Sequence, residues 1–163
     1  MDLDEPIGLL IGAVRRRIRQ AVGHHVRRYR LSTQQFWMLV AISEHPGLSL
    51  GELAARVRID LPTASRVVAA LMRRKLVQVK GDASDRRRAR LHLRAPGEVL
   101  ARELQGLAAA VRAAVVHGLS TAEQTALRSG LRKIIANMDR LHNGKAPAGS
   151  RASSADRARA RTL

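Results

Sequence analysis

The sequence predicts a mainly α-helical protein with one small two-stranded β element set among its helices. Three observations carry that prediction. Apolar residues recur at helical spacing through most of the chain. Ser32-x-x-Gln35, Ser49-x-x-Glu52 and Ser120-x-x-Glu123 are capping boxes, in which two side chains satisfy orphan amides at a helix start. Between residues 76 and 94 the apolar pattern changes to the alternation of a strand, with turn residues in the middle.

The central stretch, residues 48–97, organises the rest. After Ser49, the residues Leu50, Leu53, Ala54 and Val57 form a short helical stripe. Asp60 is a second N-cap, and Pro62 fits a first turn, where no helical N–H is needed. Val67, Val68, Leu71 and Met72 give the following helix a stripe expected to be buried. Thr63, Ser65, Arg66, Arg73 and Arg74 lie on its other face. Two helices joined by a tight turn, the second polar and basic at its start, follow the logic of a helix-turn-helix. Leu76–Lys80 then reads as a strand, Gly81–Asp85 as a turn, and Arg88–Leu93 as a half-buried strand. The result is a hairpin with a charged tip, a wing behind a recognition helix.

Charge agrees with that reading. The 163-residue chain carries a formal net charge of +17. From Arg58 to Arg94 there are eleven Lys and Arg against three acids, so nearly half of the excess lies in this one stretch. A basic surface on such a motif is the footprint of a double-stranded DNA binder. The bland alternative is a generally Arg-rich soluble protein. Side chains at the start of a recognition helix reach base edges. Here those are Pro62, Thr63, Ser65 and Arg66. Thr63 offers a methyl for thymine or a hydroxyl for phosphate, and Arg66 a fork for guanine or a grip on phosphate. Arg86, Arg87 and Arg88 surround the wing tip.

The segments IDLPTASRVVAALMRRKLV and GDASDRRRARLHLRAPGEVL resemble the MarR family of bacterial transcription regulators. Asp82, Asp85, Arg86 and Arg87 match that family's Asp-x-x-Asp-Arg-Arg wing. Leu93 and Gly97 match its Leu-x-x-x-Gly at the start of the next helix. Lys75 departs from it, standing where the family has a helix-ending Gly, and Ala95-Pro96 replaces a polar cap. The resemblance implies a winged helix-turn-helix plus a helical dimerisation bundle, a homodimer, and an operator bound as a palindrome. It implies that Arg87 enters the minor groove and that Asp85 holds it by a charge-assisted hydrogen bond. For Asp85 the plainer reading is turn chemistry alone.

The flanks follow from periodicity. Residues 1–30 read as an N-terminal dimerisation helix after an acidic lead and Pro6. Its stripe is Ile7, Leu10, Ile11, Val14, Ile18, Val22 and Val26. Such a long helix has little to cover inside one small winged helix, although intrachain packing is the alternative. Residues 31–95 form the winged region. Residues 96–142 read as two further dimerisation helices, with Val99, Leu104, Val111, Leu127, Leu131, Ile135 and Met138 among their stripe residues. Residues 143–163 are rich in Ala, Ser, Gly and Arg and read as a disordered basic tail. That tail is either merely solvated or held near DNA phosphates.

Several classes are excluded or disfavoured. With no cysteine there is no disulfide framework, Cys-bound zinc or thiol switch. No nucleophile elbow, phosphate loop or His-Glu-x-x-His occurs, so no enzyme and no cofactor are expected. No metal site is expected from the scattered histidines. No run of about 18 apolar residues and no signal-peptide pattern appears, so a cytoplasmic protein without a membrane span is expected. The resemblance places a ligand pocket between the first helix, the Thr33–Glu44 helix and the winged region. Arg16 and His25 would be its polar groups, and Phe36 and Trp37 its walls, suiting a small aromatic anionic effector. Core filling is the alternative for both aromatics. A ligand-blind architectural DNA-binding protein is the competing function, suggested by the basic tail and the scarcity of aromatics.

Overall fold

A computed structural model of the protein describes residues 5–81 and 89–144. They form α1 (Ile7–Val26), α2 (Thr33–Glu44), α3 (Leu50–Val57), α4 (Leu61–Arg73), β1 (Val77–Gly81), β2 (Ala89–Leu93), α5 (Ala95–Val116) and α6 (Thr121–His142). A short 3-10 turn, Arg27–Tyr29, closes α1. The predicted mainly α class with a two-stranded wing is what the structure holds. The described residues divide into two compact units, one up to Val115 and one from Val116 onward. Among the described residues no helix is long and apolar enough to cross a membrane.

The helix starts are those the capping signals predict. Ser32 Oγ accepts from Gln35 N at 3.1 Å, and Gln35 Oε1 accepts from Ser32 N at 2.8 Å. Ser49 with Glu52 and Ser120 with Glu123 repeat the arrangement at α3 and α6. At α4 the Asp60 carboxylate accepts from Thr63 N at 2.7 Å.

Three helix ends are less ordinary. Arg30, Arg58 and Lys75 adopt φ of +52°, +57° and +58°. Each makes the paired backbone bonds of a Schellman ending. After α4, Lys75 N donates to Met72 O at 2.8 Å and Leu76 N to Leu71 O at 3.0 Å. Glycine is the usual residue there, because a Cβ in left-handed backbone costs about 1–2 kcal/mol. A cation at these ends offsets part of that cost through the helix dipole. The missing Gly at position 75 therefore changes the residue and keeps the turn.

The core of the first unit is built by α2. Phe36, Met38, Leu39, Val40 and Ile42 are buried there. Val22 and Val26 of α1, Leu53 of α3, Leu71 of α4 and Leu104 of α5 close around them. On α4 the buried line is Ala64, Val68 and Leu71. Val67 is half-buried on its flank, and Met72 is 41% exposed, against the expectation that it is core. Its position follows from helical geometry: residue 72 stands about 100° round from Leu71.

Strand β1 pairs antiparallel with β2, with Val77 opposite Leu93 and Val79 opposite Leu91. Leu48, just before α3, adds a bridge to Leu91, with Leu91 N donating to Leu48 O at 2.9 Å. Arg90 ties the same strand to α3, through Gly47 O at 3.2 Å and Glu52 Oε2 at 3.1 Å. Gly97 explains the Leu-x-x-x-Gly motif. A Cβ there would lie 2.1 Å from the Leu76 carbonyl oxygen, so only glycine lets α5 pass this close to the end of α4.

Candidate nucleic-acid interface

Helix α4 presents one unburied line opposite Ala64, Val68 and Leu71. Pro62, Ser65, Arg66, Ala69 and Arg73 are all exposed and recur at three- and four-residue steps. This face carries Pro62, Ser65 and Arg66 of the four recognition-helix residues singled out above. Thr63, the fourth, is half-buried at its edge. Ala69 was not anticipated. It leaves a gap between Arg66 and Arg73, and its small methyl suits close approach to a base edge.

The start of the helix is wired together. Asp60 accepts from Thr63 N, and Thr63 Oγ1 in turn accepts from an Arg66 guanidinium N–H at 3.1 Å. The Asp60 carboxyl is held below its ordinary value, first by the Thr63 backbone N–H and then by the Thr63 side chain. Asp60 therefore stays ionised at neutral pH and keeps α4 capped. Arg66 is parked along the exposed face with a weak hydroxyl partner, which a base edge or a phosphate oxygen can replace.

Asp82, Asp85, Arg86, Arg87 and Arg88 of the wing tip lie outside the described residues. The strands that carry them are described, and both are anchored to the body: β1 continues from the end of α4, and β2 is held by Leu48 and Arg90.

The four residues read as an effector pocket occupy different places. Phe36 is fully buried in the core, and its ring meets Trp37 edge-on at 4.7 Å between centroids. Trp37 is half-buried, with the Arg112 guanidinium 5.9 Å from its ring centre. Arg112 also forks onto Glu44 at 2.6 and 3.0 Å, and this hydrogen bonding holds the Glu44 carboxyl below its ordinary value against the opposing effect of burial. Sequence reasoning missed this node, because its members are 68 residues apart. Arg16 and His25 are both exposed on α1. Nine residues apart on one helix, they point to opposite sides. The structure thus brings Phe36 and Trp37 together and leaves Arg16 and His25 apart. An open groove of about 410 Å³ beside α1 is lined instead by Arg19, Gln20, Gly23, His24, Arg27 and Thr33. Among the described residues no three His, Cys, Asp or Glu side chains converge as metal ligands.

A helix-turn-helix with an outward polar and basic face, followed by an anchored hairpin, defines the winged helix-turn-helix class of fold. Residues 31–88 match the sequence model of the MarR family. The structure of a S. aureus MepR–DNA complex superimposes with a TM-score of 0.74 at 20% identity, covering 84% of this chain and 99% of that one. A putative MarR family transcriptional regulator from Listeria monocytogenes, complexed with a 26mer DNA, gives 0.71 at 25% identity over 86% and 95%. Bordetella bronchiseptica BpsR, whose DNA binding is regulated by 6-hydroxynicotinic acid, gives 0.66 at 28% identity over 82% and 96%. The chain thus resembles the MarR family over residues 31–88 and has the fold of MarR-family transcriptional regulators, two of the structures above being DNA complexes.

Proposed function

We propose that the chain acts as a homodimeric repressor that binds a palindromic operator and is released by a small aromatic acid. The observation that carries the DNA-reading half is the exposed line Pro62–Ser65–Arg66–Ala69–Arg73, backed by the Asp60–Thr63–Arg66 array. In this reading α4 enters the major groove, with Thr63 and Arg66 meeting base edges or phosphates. Arg86, Arg87 and Arg88 reach the flanking minor groove and backbone, with Asp85 bracing Arg87.

Dimerisation is supported by apolar surface that the chain leaves uncovered. Ile7, Leu10 and Val14 on α1, and Leu127, Ile135, Met138 and Leu141 on α6, are all exposed. Apolar patches of this kind mark association surfaces. A two-fold pair of recognition helices then matches a palindrome.

The effector reading draws on α1. Arg19 and Arg27 flank Gly23 on one stripe of the helix and offer two guanidinium groups to a carboxylate. Arg16 is the rival polar group; His25 projects from the opposite side of α1 and Phe36 is core, so with Trp37 the four do not form one seat within a single chain. The ligand shifts the equilibrium only as far as it prefers the DNA-incompetent form, about 1–3 kcal/mol in such systems.

In vitro selection from a random duplex library, followed by footprinting, tests the regulator reading. A discrete palindrome is expected, whereas uniform coverage would support an architectural protein instead. Titrating the selected complex with a panel of aromatic acids tests the effector. Release by at least one is expected, and Arg27→Ala and Arg16→Ala then divide the two seats. No release by any acid in the panel would remove the aromatic-acid claim.

A further inference from the structure

Arg74 follows the last residue of α4, and its side chain does not join the exposed recognition line. Arg73 stands eleven positions after Pro62, about 20° off that line, while Arg74 stands about 120° off it. Its guanidinium reaches back across the fold. One N–H donates to Arg30 O at 2.9 Å and another to Tyr29 O at 2.9 Å. Both carbonyls belong to the turn that closes α1, where helical carbonyls run out of partners and partial negative charge collects. A planar fork is suited to two neighbouring carbonyl oxygens.

We propose that Arg74 is a positioning residue for DNA recognition, fixing the recognition helix to the joint between α1 and α2 without touching DNA. This rests on the reading of α4 as the recognition helix. At about 1.5 Å per residue, α4 is a lever of about 20 Å. A tilt of about 5° at its C-terminal end moves Thr63 and Arg66 by about 1 Å or more, more than a base-edge hydrogen bond tolerates. Attraction to phosphates is far less sensitive to such a tilt. Losing the fork should therefore reduce sequence discrimination and leave the electrostatic part of binding in place. An arginine that gripped a phosphate would behave in the opposite way.

Arg73 supplies a charge-matched control one residue away. The experiment compares full-length wild type, Arg74→Met, Arg74→Lys and Arg73→Met on the duplex recovered by in vitro selection and on a scrambled duplex. Affinities are measured across a salt series, well below the melting temperature. Arg74→Met is expected to lower the selected-to-scrambled ratio by roughly tenfold, the size of one lost base contact. Its salt slope should equal that of wild type. Arg74→Lys keeps the charge but not the fork, and its ratio should fall between the two. Arg73→Met should reduce the salt slope by about one and weaken both duplexes alike. A reduced slope for Arg74→Met, or an unchanged ratio for both Arg74 variants, overturns the proposal. A wild type that prefers no duplex would instead strike the sequence-specific reading itself, so the two failures are distinguishable.

Discussion

Helices α2, α3 and α4 and the first half of α1 all carry apolar stripes, yet they end in different environments. In the winged helix-turn-helix the stripes close on one another: Phe36, Leu53 and Leu71 are each 0% exposed. In the outer helices they do not. Ile7 is 63% exposed and Met138 54%, and no residue of α6 is buried. Within α1 itself the boundary is sharp, since Val22 and Val26 are core while Leu10 and Val14 are surface. Periodicity therefore states that a face will be covered and leaves open whether the same chain covers it. The winged region's stripes are covered within the chain, with help from Val22, Val26 and Leu104, while the start of α1 and all of α6 leave apolar surface exposed.

Substitutions in the two regions should separate accordingly. The largest effect belongs to the body. Phe36→Ala should cost about 3–5 kcal/mol of unfolding free energy, measured by urea titration, because it empties the centre of the core. The stability of Leu10→Ala should instead depend on protein concentration, since its loss is felt through association. Equal, concentration-independent losses at both positions would erase the distinction between the regions.

Gly97→Ala should cost about 1–3 kcal/mol or more, because its Cβ meets backbone that cannot step aside. A melting temperature at the wild-type value would show that α5 can shift away from Leu76 freely. Lys75→Gly should stabilise the body by about 0.5–1 kcal/mol. Relief of left-handed strain, about 1–2 kcal/mol, exceeds the entropy that glycine adds to the unfolded chain. A loss of stability there would mean that the lysine charge at the end of α4 outweighs the strain.

The smallest effect concerns the Glu44–Arg112 pair over Trp37. The Glu44 carboxyl is held below its ordinary value, so its contribution is complete above the unfolded-state value and is lost as pH falls through the lower folded value. Emission from Trp37, the single tryptophan, should stay constant from neutral pH down through the ordinary glutamate range and change only below it. A change near pH 6 would mean that another group controls Trp37.

What could be read from the sequence was local. Each capping box, the Asp60 cap and the strand alternation work within a few residues, and the structure follows them. Pairings made across the fold left no such trace. Glu44 with Arg112, Arg74 with Tyr29 and Arg30, and Leu48 with Leu91 are each brought together by tertiary packing of segments far apart in sequence. Arg16 and His25 are a different case: nine residues on one helix already place them on opposite sides of α1, a local rule that the pocket reading did not apply. Met72 was misread for a smaller reason, one helical step at the edge of a stripe.

Removing residues 1–28 would not test association, because it takes Val22 and Val26 out of the core. Sedimentation equilibrium of the intact chain, beside a Val14→Asp/Met138→Asp variant, does so directly. The intact protein is expected at twice the 17.9 kDa chain mass at micromolar concentration. The variant should shift to the single-chain mass while keeping the helical circular dichroism of a folded body. An intact chain that sediments as a well-folded monomer, stable across the concentration range, would contradict the assignment of the exposed faces of α1 and α6 to a second copy.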